Sequence, residues 1–66
     1  MRNGILREDE GFDLLVDGTQ RTFRDERDNA YAAARELKRT NRNSIIEIRE
    51  RATGKRQIMF EDGRLG

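Results

Sequence analysis

"RDNAYAAARELKRTN", residues 27–41, sets four alanines in the middle of a chain otherwise crowded with charge. Ala30, Ala33, Ala34 and Leu37 recur at the i, i+3, i+4, i+7 spacing of one helical face. Alanine is the best helix former and the smallest side chain that still buries carbon. The spacing therefore predicts a helix lying close against a layer of larger side chains. Asp25 is placed to cap it, with Glu26 and Asp28 in the first turn, where the helix dipole favours negative charge. Arg35, Lys38, Arg39 and Arg42 fall toward the opposite end, and Asn41 or Asn43 is expected to supply a left-handed cap.

Outward from the helix, both flanks read as hairpins. On the N-terminal side, Ile5 to Arg7 reads as a short strand and Glu8 to Gly11 as a polar turn. Phe12, Leu14 and Val16 then alternate with Asp13, Leu15 and Asp17, the period of a half-buried strand. Asp17-Gly18 is a two-residue hairpin signal, because both residues tolerate positive φ. An unbroken register from that turn sets Val16 opposite Thr19, Leu14 opposite Arg21 and Phe12 opposite Phe23, an aromatic pair on one face. On the C-terminal side, Ile46 and Ile48 alternate with Glu47 and Arg49, and residues 52–55 form a turn. Ile58 and Phe60 then alternate with Gln57, Met59 and Glu61. The expected order is β-β-β-α-β-β: an α+β fold with an antiparallel sheet of four to five strands and one helix on one face, as a single domain over residues 1–66.

The "GF" at 11–12, the "DG" turn at 17–18, a helix opening "NAYAAARELKR" and a closing "EDGRLG" come in that order. In this the chain resembles a family of short bacterial proteins of unknown function, with a ββ(β)αββ pattern. The resemblance implies the fold and carries no activity, cofactor or site residue with it.

Only 33% of the residues are hydrophobic and 41% are charged, a balance that leans toward disorder, but the periodic placement of the apolar residues argues for order. Absent cysteines fit a reducing cytoplasm. No apolar run approaches the roughly 20 residues of a membrane span, so no membrane association is expected. With no histidine or cysteine, and with a serine (Ser44) that no imidazole could activate, the residues point away from an enzyme. No cofactor, metal or small-molecule substrate is expected.

Two binding surfaces remain. Leu15, Ile45 and Met59 are expected to face away from the helix beside Arg49, a site for a protein partner or a second copy of the chain. The charge distribution suggests the other. Residues 1–34 carry five basic and eight acidic side chains, whereas residues 35–56 carry eight basic and three acidic ones. Arg27, Tyr31, Arg35, Lys38 and Arg42 share one flank of the helix at 100° per residue. With Arg51, Lys55 and Arg56 of the second hairpin they are the candidate nucleic-acid contacts. The leading expectation is a non-catalytic interaction module; the alternative is a weak nucleic-acid-binding domain.

Overall fold

The computed structural model describes residues 10–66; the strand expected at Ile5 to Arg7 lies outside them. The order is β1 (Phe12–Val16), β2 (Thr19–Arg24), α1 (Arg27–Thr40), β3 (Ile46–Glu50) and β4 (Arg56–Met59). The strands form one antiparallel sheet in the order β2-β1-β3-β4. The class is α+β, as the pattern of hairpin, helix and hairpin requires. Since β1 lies antiparallel between them, β2 and β3 run parallel, and α1 makes the crossover that a parallel pair demands.

One side of the sheet meets the helix. Leu14, Val16, Ile46, Ile48 and Met59 form the core with Ala30 and Ala34, both fully buried, while Phe12, Tyr31, Ala33, Leu37 and Leu65 pack around its margin. Ala32, on the far side of α1, is exposed. The alanine stripe is thus the docking face, and its two most central members hold the backbone close to the sheet.

The Asp17-Gly18 turn forms as expected, with φ of 52° and 86°, the positive values of a two-residue hairpin. Val16 pairs with Thr19, but Leu15 pairs with Gln20 and Leu14 with Thr22, leaving Arg21 as an extra residue in a bulge. The expected register fails beyond this point. Phe12 pairs with Arg24, and Phe23 pairs with Asp13. One inserted residue moves every later side chain of β2 to the other face, so the two rings lie on opposite sides of the sheet.

The second hairpin carries a similar inversion. Glu50 N–H donates to the Lys55 carbonyl at 2.8 Å, and Ile46 pairs with Met59. Met59 therefore faces the helix and is 1% exposed, whereas Ile58 and Phe60 are 37% and 43% exposed. The expectation that Met59 lies on the open face is wrong because loop closure at Glu50 and Lys55 fixes the parity of β4, and alternation alone does not. Leu15 lies on the open face and yet is only 3% exposed, so it offers no patch either. Ile45 is exposed as expected.

The helix ends also differ in detail. Its N-cap is Glu26, whose side chain makes no capping bond, and Asp25 does not take that place. Asn41 forms the C-cap with φ of −128°, not in the left-handed region. The helix's last carbonyls find other donors: Asn41 gives Leu37 O both its backbone N–H at 2.8 Å and its Nδ2 at 2.9 Å, and Thr40 Oγ1 donates to Glu36 O at 3.1 Å, while Lys38 Nζ reaches past the helix to Arg42 O and Ser44 O at 3.0 and 2.8 Å.

Candidate functional site

After β4 the chain reverses through Glu61, Asp62 and Gly63. Gly63 N–H donates to Phe60 O at 2.9 Å, and Phe60 N–H donates to Arg64 O at 2.8 Å. Residues 64–66 return beside β4: Met59 bridges to Leu65, and Ile58 and Gly66 exchange both backbone hydrogen bonds. The hydroxyl of Tyr31 donates to Gly63 O at 2.6 Å and ties this strap to the helix.

Between the strap and the C-terminal half of α1 lies an open groove of about 690 Å³. Arg35, Lys38, Arg39 and Arg42 line its helix side, and Met59, Phe60 and Glu61 line the other. These cations are not equivalent. Arg39 is paired with Glu36 one turn back, and Lys38 is committed to the two loop carbonyls. The guanidinium groups of Arg35 and Arg42 have no carboxylate partner among the described residues. A groove with two such groups can hold an elongated anion by charge and by bidentate hydrogen bonds.

The groove gathers only part of the expected basic surface. Arg27 sits at the other end of the helix, stacked 5.0 Å over Phe12 and 3.7 Å from Glu50. Tyr31, expected as a nucleic-acid contact, holds the strap. Of the second-hairpin cations, Lys55 is exposed in the loop, while Arg51 and Arg56 lie on the sheet face away from the helix and do not extend its flank. Pairing of Arg56 with Arg49 and of Arg49 with Asp13 places all three side chains on that open face.

There the structure has a polar centre where an apolar patch was expected. Asp13 is 1% exposed. Its Oδ2 accepts from Arg49 Nη2 at 2.9 Å, and its Oδ1 accepts from Arg51 Nε and Gln20 Nε2, both at 3.0 Å. Burial pushes the Asp13 carboxyl up, but the hydrogen bonds and charges of Arg51 and Arg49 outweigh it and hold the group below its ordinary value. Arg51 also stacks 4.5 Å over Phe23, whose ring fills the space beside Gly11. A Cβ at Gly11 would lie 2.3 Å from that ring, and φ there is 96°. Arg49, expected at a partner surface, is thus a structural partner of Asp13.

The exposed carboxylate of Asp17 accepts from Ile45 N–H at 2.9 Å, and that backbone bond is the main reason its pKa lies below the ordinary value. Sequence reasoning missed Phe60 as a groove wall, although the Asp62-Gly63 dipeptide carries the same turn signal as Asp17-Gly18. No helix among the described residues is long and apolar enough to cross a membrane. Comparison with protein-family models, curated proteins and solved structures gives no match.

Proposed function

We propose that this chain is a non-catalytic binding module whose ligand surface is the groove between α1 and the C-terminal strap, and whose ligand is an elongated anion. The observation that carries the reading is the convergence of Arg35 and Arg42, neither with a carboxylate partner among the described residues, on one concave surface. A charge left without an internal partner is available to an external one, and guanidinium groups match carboxylate and phosphate oxygens bidentately. The reading is tested by an NMR titration of the labelled protein at low salt with polyglutamate, a polymer that offers charge and no rings. Amide shifts should concentrate at Ala32, Arg35, Arg42 and Glu61, and should vanish in Arg35→Ala/Arg42→Ala. Shifts spread evenly over the basic residues, or none, would sink it.

A second reading, self-association through the open sheet face, retains Ile45 and Ile58 as its exposed apolar residues. Its support is the smaller, because Leu15 and Met59 are buried and the centre of that face is the Asp13 ion-pair cluster.

A further inference from the structure

The cations of the groove do not specify which anion they hold, but the carboxylate on its strap side does. Glu61 lines that side and is exposed, on the turn that follows β4. Its neighbours do not neutralise it: Asp62 pairs with Arg64 at 2.7 Å, and no cation pairs with Glu61 among the described residues. Glu36, the other carboxylate of the groove, is bound to Arg39. The Arg35 guanidinium reaches the same turn. It packs against buried Gly63, where a Cβ would come within 3.0 Å of Arg35 Nη1 and 3.2 Å of the Tyr31 hydroxyl. Arg42 lies just past the end of α1, in a loop held to the helix by Lys38 Nζ on Arg42 O at 3.0 Å. The groove thus offers two cations and one carboxylate without internal partners, the carboxylate on the strap and the cations on the helix and the loop after it.

Resting on the groove reading, we propose that the anion is an acidic segment of a protein partner that carries one basic side chain among its carboxylates. The carboxylates meet Arg35 and Arg42, and the basic side chain meets Glu61. A single strand of nucleic acid satisfies the arginines but sets its phosphates against Glu61 with nothing to offer it. Like charges brought together in this way are how a surface rejects a wrong partner. A peptide has a choice that a phosphate chain lacks. Its side chains alternate to two sides when it is extended, so carboxylates can turn one way and a lysine the other.

The test is fluorescence anisotropy at low salt with three short labelled peptides in which glutamate alternates with glycine. Only the central glycine is replaced, by lysine, glutamine or glutamate, and labelled oligo-dT serves as the nucleic-acid probe. The lysine peptide should bind about twofold to fivefold more tightly than the glutamine peptide, the range of one exposed ion pair. It should also bind more tightly than the glutamate peptide, although that one carries the most negative charge. Glu61→Gln should abolish the preference for lysine and leave the glutamate peptide the tightest, whereas Arg35→Ala should weaken all three. Circular dichroism melts would establish that these surface variants fold. The inference is overturned, with the anion groove left standing, by any of three results. These are a wild type that does not prefer the lysine peptide, a lysine preference that survives Glu61→Gln, and oligo-dT bound more tightly than the lysine peptide. Failure of every probe to bind, or binding indifferent to Arg35→Ala, overturns both together.

Discussion

Asp13 is the residue on which the open face turns. Aspartate is poorly suited to a strand interior, and a carboxylate taken out of water is tolerated only when it is paired and fully hydrogen-bonded. Here Gln20, Arg49 and Arg51 supply that pairing, and both arginines keep part of their side chains in water. Asp13→Asn would leave two guanidinium groups around a neutral amide, at a cost of about 2–4 kcal/mol in denaturant unfolding. The lowered pKa also gives a pH dependence. A carboxyl with a lower pKa folded than unfolded binds its proton more readily in the unfolded chain. Its stabilisation is complete above the ordinary value of 3.8 and is lost as pH falls through the lower folded value. Acid melts below about pH 4 should therefore show a steeper loss of stability in the wild type than in Asp13→Asn; parallel pH profiles would refute the assignment. None of this was legible in the sequence. An aspartate alternating with leucines reads as a solvent-facing strand position, and its partners lie 36 and 38 residues away with no spacing to announce them.

At the scale of elements, the alanine face is the feature that the sequence displayed most fully. Its periodicity gave both the helix and the side that docks, because burial follows the 3.6-residue repeat without reference to the rest of the chain. Ala34→Leu should overpack the contact with the sheet and cost about 1–3 kcal/mol, while Ala32→Leu, on the exposed side, should change stability by less than about 0.5 kcal/mol. Equal melting temperatures for the two variants would mean the helix does not dock through its alanines. The strands were less legible than the helix. Both hairpins were placed correctly, since Asp-Gly and the glycine loop mark where the chain turns. The faces of β1 and β3 were as well, but those of β2 and β4 were not. Facing depends on counting residues in pairs, and the bulge at Arg21 and the closure of the loop at Lys55 each decide that count locally. The misassignment of Phe23 and Met59, and with them the predicted apolar patch, follows from those two places.

For the molecule as a whole, the strap is held by a few bonds: the Tyr31 hydroxyl on Gly63, the Ile58–Gly66 pair and the turn at Phe60. Such peripheral segments open at lower free energy than the strands they cover. Tyr31→Phe removes one of these bonds and little packing. Amide exchange should therefore quicken at Ile58, Phe60 and Gly66, while Leu14, Val16 and Ile48 keep wild-type protection. Uniform acceleration throughout the sheet would show that the strap is not a separate opening unit. The basic flank of the helix was visible in the sequence, but its division was not. Arg27, Lys38 and Arg39 are engaged internally, and only the folded strap shows which of the others share a groove.

The returning strap also bears on how copies of this chain meet in a crowded solution. An outer strand of a sheet presents unpaired backbone donors and acceptors, and two such edges joining are the first step of ordered aggregation. On β4 the outward N–H and C=O of Ile58 are already matched by Gly66, and Met59 is bridged to Leu65. On β2, at the other side of the sheet, the extra residue at Arg21 interrupts the even spacing that a second strand would need. A rung of three residues and a single bulge thus guard the two sides of the sheet against the edge of a second copy.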